Sequence, residues 1–127
     1  MDLSKSNKFV KLMNMRSHQV IADQCSVAKS FLVRARGLIG TREFMGGQAM
    51  LFPRCNSIHM WFMSIPIDVI FLKSKDHSLF EVTATYSNLQ PWRFLPLSDP
   101  SANCTLELPI GTLKLHPILK GDLICLS

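Results

Sequence analysis

No stretch of this chain reaches the ~18 uninterrupted apolar residues that a membrane-spanning helix needs. The longest apolar run, from Trp61 to Leu72, is broken by Ser64, Pro66 and Asp68. The basic opening, MDLSKSNKFVKLMNMRSHQV, lacks the continuous apolar segment of a secretory signal peptide. A soluble, cytoplasmic protein is therefore expected. Low-complexity tracts and internal repeats are also missing, so no second domain separates out. The 127 residues, 47% of them hydrophobic, suffice for one core that needs no disulfide or metal to hold it. The four cysteines (Cys25, Cys55, Cys104, Cys125) form no CxxC pair and no His/Cys ligand spacing. Their mostly apolar neighbours suit buried thiols in a reducing compartment.

Catalytic signatures are equally scarce. There is no GxSxG elbow, no P-loop and no dinucleotide fingerprint, so no cofactor is expected and the question of enzyme activity stays open. Met45, Met50, Met60 and Met63, with His59 and Cys55, are soft ligands on paper. On a strand, however, His59 and Met63 lie ~13 Å apart, too far to share one ion. No metal site is expected, and the methionines read as adaptable core filler.

Charge is uneven. Residues 1–42 carry eight lysines and arginines against Asp2 and Asp23, within a net charge of +5. Such a basic third suits an anionic partner, nucleic acid included, yet neither stacking aromatics nor a recognition helix accompanies it. A solvated arm and helix face is the plainer reading. The partner is left as a small molecule or a protein, with no membrane span.

Residues 1–17 read as a basic N-terminal arm and residues 18–127 as one domain. HQVIAD (His18–Asp23) reads as a short strand. Ser26 then caps a predicted helix on which Phe31, Ala35 and Leu38 recur at helical spacing. Beyond Gly46–Gly47 the texture is β. Strands are predicted near Ala49–Phe52, Ser57–Met63, Ile67–Lys73, Leu79–Tyr86, Cys104–Leu108 and Leu123–Leu126. SKDHS, between two of them, is turn chemistry for a hairpin. The fold class is α+β, mainly β: a curled, antiparallel-rich sheet or small barrel with one short helix packed at one end.

The segment CNSIHMWFMSIPIDVIFLK, Cys55 to Lys73, places polar groups inside core-like sequence. Alternation on Ile67–Lys73 puts Ile67, Val69 and Phe71 on one face and Asp68, Ile70 and Leu72 on the other. Asp68 thus points into apolar company and needs partners. Backbone amides of a turn or an arginine such as Arg93 or Arg42 would serve. So would a ligand shared with His59 at a barrel mouth. QPWRF sets Trp92 beside Arg93, a pair suited to an anion or a carbohydrate and equally to a hydrophobic plug. CTLELPIG places Glu107 opposite Leu106 and Leu108, solvent-facing or arginine-paired.

RARGLIG, GGQAMLF, CNSIHMWFMSIPIDVIFL, LQPWRF, LELPIG and KGDLICL follow one another in the order found in the domain-of-unknown-function 192 (DUF192) family, which the chain resembles over nearly everything after residue 20. The resemblance implies a compact β-rich domain with a short helix, and no activity or ligand. Many members of that family look exported, and this chain departs from them at its start. It also has Ala49 where the family usually has glycine. Positions matching the family's polar pattern are His59, Asp68, Arg93 and Glu107, with Trp92 and Met63 as the wall of a pocket.

The first functional reading is a non-catalytic ligand-binding or accessory module with a polar site beside an apolar core. The second is a small hydrolase or lyase using Asp68 or Glu107 with His59 as acid and base. The third is a purely structural or interaction domain with a basic face for an anionic partner.

Overall fold

Residues 9–28, 44–58, 65–91 and 96–127 are described in a computed structural model of the protein. Strand alternation sets the architecture. On β5 (Ile67–Ser74) Ile70 and Leu72 join one buried cluster, and Ile67, Val69 and Phe71 join another. The two predicted faces of this strand are thus both covered, one by each cluster.

The first cluster fills a closed barrel. Its wall runs β1 (Val10–Asn14), β2 (Gln19–Val27), β3 (Gln48–Pro53), β8 (Cys104–Pro109), β5, β6 (Leu79–Leu89) and β9 (Leu123–Leu126), and β9 pairs back onto β1. Every neighbouring pair is antiparallel except β2 with β3. Closure removes the sheet edges that would otherwise pair with other chains. Leu12, Leu51, Leu106 and Ile124 meet Ile70 and Leu72 in the interior. The mainly-β barrel with a short helix at one end is the expected fold class.

Among the described residues a short helix stands where the sequence pattern placed none. α1 covers Thr112–Leu115, directly after Gly111, whose φ of 90° makes the turn out of β8. The predicted helix from Ser26 onward lies outside the described residues from residue 29, and Ser26 itself belongs to β2. The stretch read as an arm contains β1, which pairs with both β2 and β9. Ser57–Met63 is described only as far as β4 (Ser57–Ile58), which pairs with β7 (Leu97–Ser98). The SKDHS hairpin forms as expected, with Lys75 N–H donating to Leu79 O, and Asp76 accepting from Ser78 N–H.

The second cluster lies outside the wall. Ile58 of β4 packs with Ile67, Val69, Phe71, Leu89 and Ala102, and the Tyr86 ring meets Phe71 edge-on at 5.9 Å.

Candidate functional site

The registers define two ends of the barrel. The first gathers the start of β5, the end of β8, α1, and the β1–β2 and α1–β9 connections. The second gathers the opposite strand ends, with Val27, Pro53, Ser74 and Leu126.

At the first end the polar groups are enclosed. Asp68 is 1% exposed. Its Oδ1 accepts Asn88 N–H at 2.8 Å, and its Oδ2 accepts Leu113 N–H at 2.9 Å. Asn88 sits at φ 57° in a bulge, where Ile67 faces Leu89 while Val69 already faces Tyr86. One carboxylate therefore holds the β6 bulge and caps the first turn of α1, whose own N-cap residue, Gly111, has no side chain to do so. Among the described residues, backbone amides are the partners of Asp68, while Arg42, His59 and Arg93 lie outside them.

Asp122 does similar work at the same end. Arg16 Nε donates to its Oδ1 at 2.8 Å, and Arg16 Nη2, Asn14 Nδ2 and Leu119 N–H donate to its Oδ2 at 3.0 ± 0.1 Å. The Arg16 hydrogen bond, against the cost of burial, pulls the carboxyl down to about 2. Ile118, from the same connection, enters the interior cluster and plugs this end.

Glu107 is 2% exposed, a correction to its solvent-facing reading. Register explains the burial: Glu107 lies between Met50 of β3 and Val69 of β5, on the wall face that the second cluster covers. Asp68 lies across from Leu108, so it and Glu107 point to opposite faces and cannot act together on one reactive atom. His59, Met63, Trp92 and Arg93 lie outside the described residues.

The second end is open. A cavity of about 390 Å³ enters there between Val27, Leu51, Phe80 and Leu126, with Cys104 beside them. Its rim carries Arg54, Ser74, His77 and Asn103. Arg54 follows β3 at φ 55°, a left-handed conformation that an L side chain rarely adopts. The two described ion pairs, Arg16–Asp122 and Lys75–Glu81, leave Arg54 unused. Asp76, next to His77 in the chain, is engaged within its own turn by Ser78. Asn103 is fixed, its Oδ1 accepting Ser74 N–H at 2.9 Å. Burial pushes the Cys104 thiol up, and that of Cys25, deeper in the wall, to about 12. Neither is an activated nucleophile.

Sequence reasoning missed the whole rim. Arg54 and His77 stand at strand ends far apart in the chain, and only barrel closure brings them together. It also passed over Asp122, although the KGDLICL segment contains it.

The sequence pattern of the family DUF192, described as "Uncharacterized ACR, COG1430", matches residues 12–126. A UPF0127 protein of Thermococcus sibiricus is 32% identical over 115 residues, 87% of this chain and 71% of that protein. Another from Thermococcus kodakarensis is 32% identical over 102 residues, 77% of this chain and 61% of that protein. A crystal structure of a Novosphingobium aromaticivorans protein of unknown function is similar with a TM-score of 0.72. The match covers 91% of this chain and 81% of that one at 22% identity, so the likeness is one of fold. Among the described residues no helix is long and apolar enough to cross a membrane.

Proposed function

The chain belongs to the DUF192 family, and we propose that it is a non-catalytic binding module taking a small anionic amphiphile into the open end of its barrel. The observation that carries this reading is the cavity, whose apolar floor is continuous with the core and whose rim bears Arg54 and His77. A volume of about 390 Å³ suits a small ligand. An apolar tail would gain about 25 cal/mol for each Å² it buries against Leu51, Phe80 and Leu126. A carboxylate or phosphate head would meet the planar guanidinium of Arg54, which favours two parallel hydrogen bonds. This reading keeps the polar site beside an apolar core that the sequence suggested, and moves it to residues the sequence did not single out.

Titration with octanoate, followed by amide NMR, tests it. Shifts are expected at Leu51, Phe80, Cys104 and Leu126, with octanol binding more weakly. Arg54→Gln should weaken octanoate roughly tenfold, about 1.4 kcal/mol. Octanoate recovered chemically unchanged fits the non-catalytic role. No shift at millimolar octanoate, or shifts confined to the plugged end, overturns the reading.

A further inference from the structure

The plugged end has an outer surface that neither the cavity nor the buried carboxylates explain. Eight large hydrophobic residues are exposed among those described, and six of them gather there: Met15, Val20, Ile110, Leu115, Leu119 and Leu123. Leu115 is 73% exposed and Leu119 56%. The plug holds these residues side by side. Met15 N–H donates to Leu123 O at 2.8 Å, and Leu119 N–H donates to the Asp122 carboxylate. Leu115 N–H reaches back to Gly111 O, beside Ile110. His116 Nδ1 lies 3.2 Å from Gln19 Oε1, beside Val20.

Cations are interleaved with this apolar set. Lys114 precedes Leu115, Lys120 follows Leu119, and Arg16 follows Met15, with His18 and His116 close by. Carboxylates contribute little. Asp122 is buried beneath Arg16, and Glu81, across from Leu123, carries Lys75. Of the other described acids, Asp23 lies near Gly47, and Asp99, which feels the charge of Lys120, is held by Thr83 and Ser101. Leucines projecting among lysines match the interface of an anionic bilayer, where apolar tips enter the acyl boundary and cations meet headgroups. A second copy of the chain fits less well, because a two-fold contact would set this cationic surface against itself.

We propose that the plugged end of the barrel is a peripheral docking surface for anionic lipid, with Leu115 and Leu119 entering the interface and Lys114 and Lys120 facing the headgroups. The proposal does not depend on what the opposite cavity holds. Flotation with phosphatidylcholine vesicles, and with phosphatidylcholine–phosphatidylglycerol vesicles, tests it using the full chain. Binding is expected only to the anionic vesicles, and it should weaken as salt rises from about 0.05 M to about 0.5 M, where the Debye length shortens several-fold. The double variant Leu115→Ser/Leu119→Ser should lose tenfold or more in partitioning, at roughly tenfold per leucine withdrawn from the interface. Lys114→Glu/Lys120→Glu should do likewise. All four side chains lie on the surface, and an unchanged thermal midpoint confirms that the variants fold. Wild-type protein that ignores anionic vesicles overturns the proposal, as does equal binding by the leucine variant. A concentration-dependent dimer that the leucine variant dissolves also overturns it, assigning the surface to a second copy.

Discussion

The two ends of this barrel both carry charged side chains beside apolar ones and use them in opposite ways. At the plugged end Asp68 and Asp122 are almost fully buried, and every carboxylate oxygen accepts a hydrogen bond. At the open end Arg54 and His77 stand over apolar floor at the rim of a cavity, and Arg54 takes part in neither described ion pair. A buried carboxylate with its oxygens occupied has little left to offer a ligand, because each contact to a newcomer would have to displace one already made. A cation beside unfilled apolar volume has both. A charged residue in core-like sequence therefore points to structure as readily as to function, and the state of its hydrogen bonds separates the two.

The largest effect expected from this contrast is at Asp68. Asp68→Asn leaves one acceptor oxygen and turns an amide donor toward a backbone N–H, at the β6 bulge or at α1. Loss of a charge-assisted bond and exposure of a buried donor together cost about 2–4 kcal/mol. Urea unfolding should show that loss, with octanoate binding per folded molecule unchanged. A shift below about 0.5 kcal/mol would break the contrast, because Asp68 would then not be a structural fastener.

Asp122 should contribute less, and its contribution depends on pH. Its carboxyl is lowered from 3.8 to about 2 chiefly by Arg16. A lowered folded value means stability that is complete above the unfolded value and is lost as pH falls through about 2. The shift corresponds to about 2.5 kcal/mol at most, and nearer 1 because the Arg16 side chain is half exposed to solvent. Asp122→Asn should therefore be destabilised at neutral pH and converge with the parent in acid. A parallel offset at every pH would show that ionisation is not what Arg16 recognises.

What the sequence disclosed follows from the range of the forces involved. β5 and β9 were legible because alternation and β-branched content are local, and Leu123–Leu126 was bounded correctly at both ends. The burial of Asp68 was legible for the same reason. β1 was not: VKLMN in a lysine-rich opening has a weak pattern of its own, and its strand is held by partners on both sides, β2 and β9. α1 was missed because four residues are too few for helical periodicity, and its cap comes from Asp68, 45 positions away. The burial of Glu107 depends on a second layer that no pattern within CTLELPIG announces. The rim is the extreme case, since Arg54, His77 and Asn103 share nothing until the barrel closes.

The smallest effect sharpens the contrast most. Arg54 holds a left-handed φ of 55°, which costs a non-glycine residue about 1–2 kcal/mol. Strain of this kind persists when the surroundings enforce it, and it collects at sites with another purpose. Arg54→Gly removes the strain but enlarges the unfolded ensemble, and these terms offset to within about 1 kcal/mol. Stability should therefore stay level or rise slightly, while octanoate affinity falls as far as it does in Arg54→Gln. At Asp68 the conservative change should destabilise the fold and spare the ligand; at Arg54 the drastic one should spare the fold and lose the ligand. A glycine variant that unfolded easily yet still bound octanoate would make Arg54 a structural residue and leave the open end without its anion contact.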